Sequence, residues 1–282
     1  MQIELYPSPW RSNFERFLSD VNRDLLIATP FIKKSEADWI CNAVVGRSIR
    51  LRVLTDVRSE SVLSGSLDID ALELFSQATK DSKVIALPRL HAKVYLRDQD
   101  SAIVTSANLT PAGLESNYEY GVGLFDPQVV RVIREDLEAY ARVGSPMTQE
   151  LLSELAIVSR DLISEYNEVQ RSAKTSIRRH FNQKLRKAKV EFLRAQVGTR
   201  SAHSLYSDAI VFVLSKGPLQ TAELHPRIQQ LLPELCDDSV ELIINGQRFG
   251  KRWKHAVRNA QQFLKRQGII SFDGQQWSLV QS

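Results

Sequence analysis

The sequence is poor in several things at once. It has two cysteines, Cys41 and Cys236, far apart and with no CxxC or HxxxH partner. Neither a structural zinc site nor a disulfide framework is expected, and a reducing cytoplasm fits. Its apolar runs, LLIATPFI and AIVFVL, fall far short of the roughly 20 residues that span a bilayer, so no membrane partner is expected. The opening MQIELYPSPW has no basic stretch leading into an apolar one, so no secretory leader is expected. Between Met147 and Val197 there is neither glycine nor proline, which leaves helix as the expected state of that stretch.

What is present is ordinary in bulk and uneven in distribution. The 282 residues are 43% hydrophobic and 25% charged, a globular composition with room for two domains. The formal net charge is +4. Residues 1–145 hold 17 Lys/Arg against 20 Asp/Glu, residues 146–200 hold 11 against 6, and residues 201–282 hold 9 against 7. Within these, 171–200 has ten basic residues opposed only by Glu191, and 248–266 has seven and no acid. Local excess of this kind suits a polyanion, nucleic acid first; a solvated helix face is the bland alternative for either run alone.

Residues 1–145 alternate strand-like and helix-like segments. LLIATP, IRLRVLTDV and KVIAL read as strands; SEADWICNAVVG, opened by Ser35 and closed by Gly46, and DIDALELFSQAT read as helices. HAKVYLRD and SAIVTSA are strands joined by a polar turn, and YEYGVGLFD is another strand. An amphipathic helix follows over 127–143, with Pro127 near its start and Gly144 after its end. The fold class is α/β, a mixed sheet flanked by helices. GSP at 144–146 punctuates the chain. Residues 146–200 read as a long basic helical linker, as one helix or as a hairpin bending near QRSAKT. Leu151, Leu155, Val158 and Leu162 form a short heptad-like seam, suited equally to dimerisation or to packing within one chain. Residues 201–282 read as a small α+β domain. It has Thr221 as an N-cap, a long basic helix over 248–268 and a final hairpin on Asp273-Gly274.

The chemistry concentrates in HAKVYLRDQDSAIVTSANLT. If residues 90–97 are a strand, His91, Lys93 and Tyr95 share a face; Ser106 and Asn108 share one on the returning strand. An imidazole, an ammonium, a hydroxyl and an amide around one point suit a phosphodiester: a nucleophile, a cation for the phosphoryl oxygens, and neutral donors. His91, Lys93, Asp98, Thr105-Ser106 and Asn108 resemble the HxK(x)4D(x)6GS signature of the phospholipase D superfamily, in the S-x-N variant of its small nucleases. Glu119 stands where that branch has a glutamate, eleven residues after the asparagine. Thr105, in place of glycine, is the one departure, and Asp100 is an alternative to Asp98.

The resemblance implies catalysis without metal or other cofactor. His91 would attack phosphorus to form a phosphohistidine. Lys93, Ser106 and Asn108 would hold the phosphoryl oxygens, and Glu119 would orient the imidazole. A second histidine must protonate the leaving oxygen, yet His180, His203, His225 and His255 stand in no second HxK. A homodimer with a shared site is therefore expected.

The C-terminal stretch RFGKRWKHAVRNAQQFLKRQGIISFDGQQWSLV resembles the winged-helix domains at the front of Mrr-type restriction proteins. In that resemblance Trp253, Val257, Ala260 and Leu264 face the core, and Arg248, Lys251, Arg252, Lys254 and Arg258 are free for DNA. Gln275 and Gln276 sit at the wing turn. The expectation is a metal-independent DNA nuclease, with restriction or phage defence as its role by analogy of architecture. A non-catalytic DNA-binding regulator that uses the fold to dimerise is the alternative; a lipid phosphodiesterase ranks below both.

Overall fold

The computed structural model describes residues 3–171, 181, 183–185, 187–188, 191–192, 200–233, 235–244 and 246–280. The chain divides into two compact units, Met1–Gly198 and Thr199–Ser282.

The first unit is built on eight strands: β1 (Ile3–Pro7), β2 (Asp24–Ala28), β3 (Arg50–Thr55), β4 (Asp81–Ala86), β5 (Val94–Arg97), β6 (Ser101–Thr105), β7 (Tyr120–Leu124) and β8 (Ser145–Met147). Their order across the sheet is β1-β7-β6-β5-β2-β3-β4-β8. β2, β3 and β4 run parallel, and every other pairing is antiparallel. The helices are α1 (Arg11–Ser19), α2 (Lys34–Val44), α3 (Ser59–Leu63), α4 (Ile69–Gln77), α5 (Pro127–Val143) and α6 (Gln149–Arg171). The central strand β2 explains the layering. Leu25 and Ile27 join a core with Trp10, Phe14, Ile40 and Leu72, while Leu26 and Ala28, fully buried too, face the other way. A strand covered on both sides needs an unbroken apolar run, which is what the sequence has there.

Local signals set the element ends, with two corrections. α5 starts at Pro127 because Asp126 caps it, its carboxylate accepting from the amides of Gln128 (3.0 Å) and Val129 (3.5 Å). α2 is not opened by Ser35: Lys33 is the N-cap and the Ser35 hydroxyl donates to the Glu36 carboxylate. The break at GSP does not end the domain, since Ser145–Met147 pairs antiparallel with β4 and closes the sheet edge. α6 then returns to the same unit. Leu152, Leu155 and Ala156 enter its core and Leu151 packs against it, while Leu162 and Val158 pack with Phe181. The heptad-like seam is thus used inside the chain. Residues 172–180, on which most of the expected bend near QRSAKT falls, and residues 193–199 lie outside the described residues.

The second unit contains α7 (Ala202–Leu214), α8 (Thr221–Leu231), β9 (Glu241–Ile244), β10 (Gln247–Lys251), α9 (Arg252–Arg266), β11 (Ile270–Phe272) and β12 (Trp277–Leu279). The expected long helix over 248–268 is shorter. Residues 247–251 are a strand paired with β9, so Arg248 and Lys251 lie on a hairpin and not on the helix. The missed signal is the Asn-Gly dipeptide at 245–246, a sequence typical of two-residue hairpin loops; Gly246 has φ +81°. Thr221 is the first helical residue and Gln220 the cap; the Thr221 hydroxyl accepts from Trp277 Nε1 at 3.0 Å. The apolar stripe Trp253, Val257, Ala260 and Leu264 of α9 is buried. β11 and β12 pair across Asp273–Gln276, and Leu219 forms an isolated antiparallel bridge to Trp277. No helix among the described residues is long and apolar enough to cross a membrane.

Candidate active site

The antiparallel order of β5, β6 and β7 brings the start of β5, the end of β6 and the start of β7 to one edge of the sheet. That edge receives His91 and Lys93, then Ser106 and Asn108, then Glu119. The strand begins only at Val94, because the chain turns at Arg89 with φ 64°. Lys93 is already tied in: its carbonyl accepts from the Thr105 amide at 3.0 Å. From there its Nζ donates to the His91 carbonyl at 3.0 Å and lies 3.3 and 3.4 Å from the two ring nitrogens of His91. Burial lowers the Lys93 pKa from its ordinary 10.5, and the negative charge of Glu119 opposes that shift.

Glu119 is fixed from three sides. One carboxylate oxygen accepts from the Ser106 hydroxyl and the other from Asn117 Nδ2 at 3.1 Å. Its amide donates to Ser8 Oγ at 2.8 Å. The Tyr120 amide donates to Ser106 Oγ at 3.1 Å, so that hydroxyl is held as both donor and acceptor. Asn108 is set by the loop after β2: Leu109 bonds Phe31 O at 3.1 Å and Lys33 N bonds Leu109 O at 3.0 Å. Buried Thr29 donates to Asn108 Oδ1 at 3.4 Å. Ser8, Thr29 and Asn117 were invisible to motif spacing. Ser8 and Thr29 come from chain segments some 111 and 79 residues away from their partners, and only the sheet order joins them.

Two residues of the motif stand apart. Asp98 lies at the opposite end of β5, with φ 48°. Its carboxylate accepts from the amides of Asn22 (3.0 Å), Arg23 (2.7 Å) and Asp24 (2.9 Å). Burial raises its pKa, but these bonds outweigh it and the net shift is downward. Its observed contacts anchor the β5–β6 turn to the entry of β2. Asp100 accepts from Ser101 Oγ at 2.8 Å, at that same turn. Tyr95, expected beside His91 and Lys93, is wholly buried, and its hydroxyl donates to Ala107 O at 3.4 Å. Thr105, the departure from glycine, has its own accommodation: its hydroxyl donates to Tyr120 O (3.2 Å) and accepts from the Ala107 amide (3.2 Å). It fits because Gly121 opposite has no side chain; a Cβ there would lie 2.9 Å from Thr105 Cβ.

Residues 15–141 match the family described as cardiolipin synthase, PLD-like domain. That match covers less than half of the chain. The match spans β2 to β7 and includes all the residues gathered at the sheet edge. Among solved structures, the chain is similar to Nuc from Salmonella typhimurium, a phospholipase D family member. The identity is 17% over 51% of this chain and 95% of that one, with a TM-score of 0.44. NucT from Helicobacter pylori is 16% identical over 48% of this chain and 91% of its own, TM-score 0.39. Phosphatidylserine synthase from Haemophilus influenzae is 16% identical over 60% of this chain and 45% of its own, TM-score 0.47. No curated protein matches the chain. The residues expected at DNA lie on the second unit. Arg252 and Arg258 are exposed on α9 and Lys254 half-buried there, with its Nζ 5.5 Å from the Trp253 ring. Arg248 pairs with Glu241 at 3.5 Å, and Lys251 Nζ donates to Asp238 O at 2.5 Å. The amides of Gln275 and Gln276 donate to Asp273, which shapes the hairpin turn.

Proposed function

We propose that the protein is a metal-independent DNA nuclease of the phospholipase D type. The observation that carries this reading is the convergence of His91, Lys93, Ser106, Asn108 and Glu119 from three strand ends onto one edge of the sheet. In the first step a His91 ring nitrogen attacks phosphorus. A P–N bond forms, the P–O bond to the departing sugar breaks, and that oxygen takes a proton from a second imidazole. Water then attacks phosphorus, gives its proton to the second imidazole and releases His91. Lys93 and the Asn108 amide offset the charge that builds on the phosphoryl oxygens, a role a metal ion fills in other phosphodiesterases.

The second imidazole is His91 of the partner subunit in this proposal. A partly exposed apolar face beside the site supports a second copy. Ile3, Leu5 and Pro7 on edge strand β1 pair with Leu124, Val122 and Tyr120 on β7, and Ile3, Leu5 and Tyr120 are exposed. Such an edge is a template for association unless covered. The second unit, read as a winged helix with an added β9–β10 hairpin, would hold duplex through α9. The test is DNA cleavage in excess EDTA, with acid quenching to trap phosphoprotein by mass. Wild type is expected to cleave and to trap; His91→Ala is expected to do neither. Cleavage by His91→Ala ends the mechanism.

A further inference from the structure

We infer that Tyr118 is a stacking platform for an unpaired nucleobase next to the scissile phosphate. The inference rests on the nuclease reading above and adds to it the form of the substrate, a strand whose base is free of its complement at the site.

Tyr118 is fully exposed, at 105%. A single exposed aromatic is common, but this one is held out by a rigid frame and not by a loose loop. The Asn117 amide donates to Ala112 O at 2.7 Å, and its side chain donates to Glu119 at 3.1 Å. Glu119 is pinned to Ser8 and Ser106. Both chain neighbours of Tyr118 are thus fixed to the site, while its ring stands fully exposed among the described residues. Successive Cα atoms are about 3.8 Å apart, so the ring is rooted one step from the carboxylate that contacts Ser106. Glu119 faces Ser106, and its amide also lies 3.1 Å from Asn117 O, a three-residue turn with Tyr118 at its tip, so the carboxylate points in while the exposed ring points out. A nucleic-acid strand has the same division, phosphate to one side and base to the other. With its phosphate at His91 and Lys93, a base swung out of the stack meets the tyrosine ring. A tyrosine on a fixed backbone has only two side-chain torsions to lose on stacking, and every base has a face to offer it, so the contact favours single-stranded or unpaired DNA without reading sequence.

The test compares a thymidine oligonucleotide with an oligomer of the same length made of abasic sugar phosphates, using the full-length protein. Stacking of one base is worth about 5- to 150-fold in affinity. Wild type is expected to show a KM for the thymidine strand lower by a factor in that range. Tyr118→Ala is expected to show equal KM for the two substrates with kcat little changed, and Tyr118→Phe to restore the preference. If wild type cleaves both strands with equal KM, or if Tyr118→Ala keeps the preference, the inference is overturned while the nuclease reading stands. If wild type cleaves neither, both fall. If Tyr118→Ala changes the oligomeric state by light scattering, the ring serves a second copy and the inference is overturned.

Discussion

Replacing Gly121 by alanine probes why threonine stands at 105, the position where the motif has glycine. A Cβ at 121 would meet Thr105 Cβ at 2.9 Å, Thr105 Oγ1 at 3.0 Å and Val104 O at 3.2 Å. All three belong to the neighbouring strand β6, so no flexible tip can swing aside, and overpacking of this kind costs about 1–3 kcal/mol. Thr105→Gly is also destabilising. It removes two hydrogen bonds, to Tyr120 O and from Ala107 N, each worth about 0.5–1.5 kcal/mol, and it adds backbone freedom worth about 0.5–1 kcal/mol. If steric exchange between the two positions is the cause, the double variant is more stable than the sum of the singles by about 1 kcal/mol or more. Native-state hydrogen exchange of the β6 and β7 amides reads the first unit separately from the second. A Gly121→Ala cost that is the same in both backgrounds, within about 0.5 kcal/mol, refutes the reasoning.

Asp98→Asn keeps a side chain that tolerates the positive φ but removes the charge that the three amides hold; it is expected to lower stability by about 1–3 kcal/mol at neutral pH. Because the folded carboxyl titrates below its ordinary 3.8, its contribution is present above that pH and disappears as pH falls through the folded value. Urea unfolding curves of the two proteins should therefore converge in strong acid, and a gap that persists there counts against the anchor. For the reaction, loss of the Lys93 charge sets an alkaline limb below the ordinary 10.5. Glu119→Gln removes the charge that raises that pKa, so a pH–rate profile should show the limb moving lower; an upward move contradicts the assignment. In the second unit, Arg258→Ala should weaken duplex binding and reduce the slope of log affinity against log salt by about 0.9, one phosphate's share. An unchanged slope removes Arg258 from the contact.

The sequence by itself determined the α/β class, the core strand β2 and the set of polar residues from His91 to Asn108. These follow from local causes: apolar periodicity, a capped helix at Asp126, spacing within one motif. It also held an Asn-Gly hairpin signal at 245–246, between β9 and β10, beside a basic run whose composition suits helix. Tertiary structure decided the rest. Only strand order shows that the motif has two ends, with His91 and Lys93 joining Ser106, Asn108 and Glu119 at one edge and Asp98 anchoring the other. Only the ladder places Gly121 opposite Thr105, so that a departure in one strand is matched by a missing side chain in the next. Whether α6 is a linker or a layer was likewise settled by packing, since a short apolar seam reads the same whether it meets its own chain or another. Local rules act over a few residues, whereas sheet order joins residues some 111 positions apart, such as Ser8 and Glu119.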